Sequence, residues 1–190
     1  IGPNERMSKQ QLEQAMAFLQ DRFFFIEADD KIPDINWLLS RVRHACFRHG
    51  INGVIIDPYN EIDAKRDGNK REDEHIRDLI SQCKQFCRSH HIAMWMVAHP
   101  AKMQRGSDGA YPPPSLYDIS GSAHWNNMCD VGLVIHRDFE EDNTRLIVRK
   151  IREQGLYGSI GEVFFRYNTA KHIYQPEDTE QENSHGIYQD

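Results

Sequence analysis

Apolar residues along this chain fall into two kinds of block: stretches where they recur at helical intervals, and short runs where they are continuous. Ser8 and Gln11 have capping-box spacing, and Leu12, Ala15, Met16 and Leu19 follow at the spacing of one helix face, which predicts a first helix. The run FFFI at 23–26 is short, aromatic and unbroken, the pattern of a strand covered on both faces. Asp34 is placed to cap a second helix with Ile35, Leu38, Leu39, Val42 and Cys46 on one side, and Gly50 suits its end. A strand opens the segment GVIIDPYNEID at 53–63. Asp73 is expected to start a third helix, with Ile76, Leu79, Ile80, Cys83, Phe86 and Cys87 buried. IAMWMVA at 92–98 reads as another continuous strand. Beyond a Gly/Pro-rich loop and a short helix near 121–128, a fourth strand is expected at 132–136, within VGLVIH.

Apolar strands separated by helices indicate a parallel sheet with helices on both faces. From 144 the pattern changes: RLIVRKI, EVFFRY and HIYQ are joined by short Gly- or Asn-containing turns, which suggests an antiparallel extension at one edge. The predicted fold class is therefore α/β, and no internal repeat interrupts it.

Composition narrows the picture. A chain of 190 residues with 39% hydrophobic residues, three Trp and nine Phe fits one globular domain with a real core. No apolar run approaches the roughly 18–20 residues a membrane-spanning helix needs, and the start has no signal-peptide pattern, so a soluble chain without a membrane partner is expected. The chain opens on Ile1 rather than Met, as expected of a piece of something longer. Cys46, Cys83, Cys87 and Cys129 show no CxxC spacing, which favours buried, reduced thiols in an intracellular setting over a disulfide or zinc framework. The net charge is −6, but five of the acids and no Lys or Arg lie in 176–190. That segment reads as a disordered acidic tail on a nearly neutral domain at 1–175, so any contact with nucleic acid must come from local patches.

Ligands of open parallel sheets bind outside the carboxyl ends of the strands, which directs attention to the residue that ends each apolar run. Asp57 ends one and His99, in MVAHPAK, ends the next. A carboxylate there can hold Mg²⁺ against a nucleotide's phosphates, as a Walker B aspartate does, and a neutral imidazole beside it can donate to a γ-phosphate oxygen. Each residue alone could equally cap the turn before the proline that follows it. Lys150 and Arg152, two apart on a strand, share a face at a separation of roughly 7 Å, so both cations can approach one triphosphate. An isolated pair of that spacing is also what an ordinary solvated strand carries.

Taken in order, GVIIDPYNEID, WMVAHPAK, SLYDISGSAHWNNMCDVGLVIHRD and VRKIREQGLYGSIG resemble the RecA-like ATPase domain of ring-shaped replicative helicases. The likeness is to Twinkle-type primase-helicases of organelles and phages, and more distantly to bacterial DnaB, and it runs from about Glu5 to about Gln175. It implies ATP and Mg²⁺ as cofactors, single-stranded DNA as partner, and a hexameric or heptameric ring, and it leaves open a primase domain in the same parent chain. The implied setting is a bacterial or phage-infected cytoplasm or an organelle matrix. On the matching positions, Asp57 would coordinate Mg²⁺, His99 would sense the γ-phosphate, and Lys150 and Arg152 would be the lysine and arginine finger that one subunit extends into its neighbour's ATP site. The segment from Lys102 to Pro114, with Lys102 and Arg105, falls where such proteins face single-stranded DNA in the central channel.

Two departures stand against the pattern. Ser120 occupies a place in DISGSAHW where several such proteins have an arginine, so no phosphate role is assigned there. No GxxxxGK[ST] phosphate loop occurs in the chain, and the water-activating glutamate of such ATPases has no counterpart in it; both are expected upstream, which makes these residues the later half of an ATP site. The mixed-charge loop with Lys65, Arg66, Lys70 and Arg71 reads as a solvated turn. Two other readings remain: a DNA-binding or assembly fragment that hydrolyses nothing, and a metal-dependent hydrolase using Asp57, Glu61, Asp63 and His99.

Overall fold

A computed structural model describes residues 7–28, 33–62, 71–107, 109–120, 123–139 and 141–177. The chain divides between Cys129 and Asp130 into two compact units, each treated below by itself.

In the first unit the helices form where caps and periodicity expect them. Helix α1 (Lys9–Arg22) carries the full Ser8–Gln11 capping box, with the Ser8 hydroxyl accepting from the Gln11 N–H and the Gln11 side chain accepting from the Ser8 N–H. Helix α2 (Ile35–His49) starts on Asp34, whose carboxylate accepts from the Trp37 N–H at 2.8 Å, and stops at Gly50, held at φ +62°. Strand β1 (Gly53–Ile56) follows. Helix α3 (Glu72–His90) begins one residue ahead of Asp73, and three acids in its first turn face the positive end of its dipole. Strand β2 (Ala93–Met96) pairs parallel with β1, and a short helix α4 (His124–Met128) ends the unit. Leu39 and Val42 of α2, Ile76, Leu79 and Ile80 of α3, Ile56 of β1 and Trp125 of α4 form one buried cluster.

That cluster lies on one face of the two-stranded sheet. On the other face Ile55 and Trp95 are exposed, with Trp95 lying over Gly53, where an added Cβ would come within 2.8 Å of the ring. Helices were expected on both faces; among the described residues they cover one.

The FFFI run is not a strand. Phe23 caps α1, Phe24 stacks on His49 with ring centroids 4.0 Å apart, and Phe25 is 86% exposed. A strand exists only through the ladder it shares with a neighbour, and no described segment pairs with this one. The apolar stripe of α1, Leu12, Met16 and Leu19, is likewise exposed.

The second unit is an antiparallel meander in the order β3-β4-β5-β6. Strand β3 (Val131–Asp138) pairs with β4 (Asn143–Ile151); after the one-turn helix α5 (Gln154–Tyr157) come β5 (Gly161–Asn168) and β6 (Ile173–Pro176). The fourth strand expected of the parallel sheet is thus β3, an edge strand of the antiparallel one. Gly132 and Val134 are its buried positions, whereas Val131, Leu133 and Ile135 are exposed. Glu177 continues past β6, accepting from Arg166 at 3.1 Å, and the remainder of the expected tail, 178–190, lies outside the described residues. All four cysteines are free, and burial pushes the Cys83 thiol up to about 12, with Cys87 adding to it. Among the described residues no helix is long and apolar enough to cross a membrane.

Val42 is fully buried at the centre of the first unit's cluster. At about 0.8 kcal/mol per buried methyl plus a cavity term, Val42→Ala should cost about 2 kcal/mol in urea unfolding, with an unchanged m-value.

Candidate functional site

The site is built on the pairing of β1 with β2. Their register sets Ile56 level with Met96, and the pairing continues past both ends: the Val97 N–H donates to the Ile56 carbonyl at 2.9 Å and the Tyr59 N–H to the Val97 carbonyl at 3.0 Å. Asp57 is the first residue past β1 and His99 the third past β2, where a strand running up to His99 was expected, so both follow the carboxyl ends of neighbouring parallel strands. Both are exposed. The 3₁₀ turn Tyr59–Glu61 that follows Asp57 starts on Pro58, without a side-chain cap.

Three segments lock around these strand ends. The turn at 115–118 is closed by a capping box in which Asp118 accepts from the Ser115 N–H and hydroxyl at 2.6 and 2.8 Å. The Asp118 carbonyl accepts from the Ala101 N–H at 2.6 Å, and Pro100 bridges to Ile119, which fixes the chain just after His99. Tyr59 meets Trp125 edge-on at 4.6 Å, and the Trp125 indole N–H donates to the Ser120 carbonyl at 3.3 Å. Burial, and then the Glu72 carboxylate, push the Tyr59 phenol up, so it stays protonated. Tyr59 and Trp125 each lie within a quoted block, but their pairing went unnoticed in the sequence because they are far apart along the chain.

The loop after His99 carries the two expected nucleic-acid contacts. Lys102 is exposed and borders an open hollow with Gln104, Tyr117 and Ser120. Arg105 is exposed, donates to the Gly109 carbonyl at 3.0 Å and lies over the Tyr111 ring at 4.8 Å. Of the mixed-charge loop, Lys65, Arg66 and Lys70 fall outside the described residues; Arg71 pairs with Asp73 at 3.2 Å at the start of α3.

In the second unit Lys150 is half-buried on β4 opposite Gly132, and Arg152 stands one residue beyond the strand. Arg152 is held within its own unit: its backbone N–H donates to the Asp130 carbonyl at 2.8 Å and its Nε to the Asp130 carboxylate at 2.9 Å. Both side chains of that ion pair are about half exposed or more, which puts its worth in the range of a surface pair, about 0–1 kcal/mol. The sequence reading missed Asp130; its place just ahead of β3 becomes informative only once the β3–β4 register is known.

A single carboxylate at a strand end is a hard oxygen donor of the kind Mg²⁺ takes while keeping most of its water, so Asp57 fits that ion. The described residues offer no all-protein cage: no three of their His, Cys, Asp or Glu side chains are grouped to hold a metal. The hydrolase reading with Asp57, Glu61, Asp63 and His99 finds no support there, and Asp63 itself lies outside the described residues.

No protein-family model matches the chain. Among curated proteins it is similar to the Twinkle homolog protein, chloroplastic/mitochondrial, of Arabidopsis thaliana, with 38% identity over 176 residues, 90% of this chain and 24% of that protein. The chain thus spans about a quarter of the length of the relative it matches. The resemblance to Twinkle-type proteins that rested on four blocks holds over nine-tenths of the chain.

Because the Arg152–Asp130 pair is exposed, Asp130→Asn should change the unfolding free energy by less than about 1 kcal/mol in urea titrations. A loss above about 2 kcal/mol would mean that Asp130 anchors Arg152 more firmly than a surface pair does.

Proposed function

From the likeness to a Twinkle homolog protein over most of the chain, we infer that these residues form the later half of the ATP-driven motor of a replicative DNA helicase, translocating 5′ to 3′ on single-stranded DNA as a hexameric or heptameric ring. The observation that carries this reading is the parallel pairing of β1 and β2, with a carboxylate and an imidazole following the carboxyl ends of the two strands. Asp57 would hold Mg²⁺, which supplies charge neutralisation at the nucleotide's phosphates. His99 would donate a ring N–H to a terminal phosphate oxygen and lose that partner when the phosphate departs. The Pro100–Ile119 bridge and the Ala101–Asp118 bond would carry the change from His99 to the loop that follows it.

Lys150 and Arg152 would act in the neighbouring subunit's site, where the planar guanidinium suits charge spread over equatorial oxygens during phosphoryl transfer. A tether of at most about 1 kcal/mol to Asp130 is compatible with that reach, since one charge-assisted contact to phosphate outweighs it. Lys102 and Arg105 would engage backbone phosphates without reading sequence. The missing GxxxxGK[ST] segment favours one further reading of the chain by itself, a piece that binds DNA or partner subunits without turnover.

In the complete protein, Arg152→Ala should lower ATP hydrolysis by about 10³-fold or more while nucleotide affinity changes only a few-fold, because the finger acts in trans. Steady-state hydrolysis and nucleotide titration check this; hydrolysis near the wild-type rate would remove Arg152 from the site. Replacing Lys102 and Arg105 together by Ala should weaken single-strand binding and flatten log K against log salt by about 1.4, since each neutralised phosphate of a single strand contributes about 0.7 to that slope. An unchanged slope would take this loop off the DNA.

A further inference from the structure

The tip of the loop after His99 is tied more closely than its length requires. The Gly106 N–H donates to the Ala110 carbonyl at 2.8 Å, the Gly109 N–H to the Gly106 carbonyl at 3.0 Å, and Arg105 closes the tip through the Gly109 carbonyl. Gly109 sits at φ +81°, a conformation other residues rarely adopt. Three prolines, 112–114, follow at once and stiffen the exit. The result is that Tyr111 is held about half exposed, at 51%, with the Arg105 guanidinium 4.8 Å from its ring centroid.

We propose that Tyr111 is a base-stacking platform: one face of its ring takes a base of single-stranded nucleic acid while Arg105, over the other, directs its remaining N–H groups to the adjoining phosphate. An aromatic ring in a stiff loop loses little entropy on stacking, accepts any base because every base has a π-face, and is reinforced by a cation on its other side. Ring and guanidinium together explain why an aromatic side chain is exposed beside the two basic residues of this loop. The proposal rests on the reading of 102–114 as a nucleic-acid contact and adds to the phosphate contacts a sequence-tolerant contact to bases.

The test measures binding of the complete protein to an oligothymidylate and to the same strand with abasic sites in place of its bases, at several salt concentrations. The wild type should prefer the intact strand by about tenfold. Tyr111→Ala should abolish most of that preference with little change in salt slope, and Tyr111→Phe should keep it. If Tyr111→Ala weakens both strands equally, the ring only stiffens the loop and the stacking role is overturned. Lys102→Ala on the same strands separates the two claims. A flattened salt slope in Lys102→Ala, with the preference for bases untouched in Tyr111→Ala, would sink the stacking platform alone, whereas no effect of either variant would sink the loop's contact with DNA and the platform with it.

Discussion

The parallel ladder between β1 and β2 is the constraint on which the rest depends. Four residues on each side, Gly53 to Ile56 against Ala93 to Met96, set the register, and two further backbone bonds extend it beyond the strand ends. Side chains alternate across a strand, so a slip of β1 by one residue against β2 would bury Ile55 in place of Val54 and Ile56 and would turn Asp57 to the opposite face. The core on one face of the sheet thereby sets the position of the chemistry at its edge. The burial of Val42, Ile76 and Phe86 in this cluster is what selects the register that sets Asp57 just beyond β1 and the 97–99 segment just beyond β2.

Around that edge the structure uses contacts of modest strength in number. The Ser115–Asp118 box, the Pro100–Ile119 bridge and the edge-on meeting of Tyr59 with Trp125 each contribute about 1 kcal/mol, but they converge on the two short segments that carry Asp57 and His99. Arg152 is treated oppositely. Its ion pair with Asp130, exposed on both sides, holds the side chain in one place within its own unit and has the modest strength of a surface pair.

How much of this was legible follows from which interactions are local. The ends of α2 were readable because Asp34 and Gly50 act within one turn of themselves, and the interiors of α2 and α3 because burial repeats at the helical period. The end of β1 before Asp57 was readable where its apolar run stops, whereas β2 ends at Met96, two residues short of the expected Ala98, because the ladder with β1 ends there although the apolar run goes on. FFFI was not, since a strand is a property of two segments and its sequence describes one. The run VGLVIH misled in another way: continuous apolar residues are expected of a buried parallel strand, but β3 pairs antiparallel with β4 and leaves three of them exposed. Tyr59 with Trp125, and Arg152 with Asp130, are pairings between distant positions that no local pattern encodes.

The central claim, that Asp57 serves the nucleotide of its own subunit and Arg152 that of the next, is tested most directly by mixing. Asp57→Asn and Arg152→Ala versions of the complete protein, each inactive alone, are combined and allowed to exchange subunits, and ATP hydrolysis is followed against their ratio. Interfaces that join an intact Asp57 to an intact Arg152 arise only in mixed rings, so the account predicts activity that rises from near zero, peaks near equal proportions and falls again. Mixtures as inactive as either parent at every ratio would contradict it.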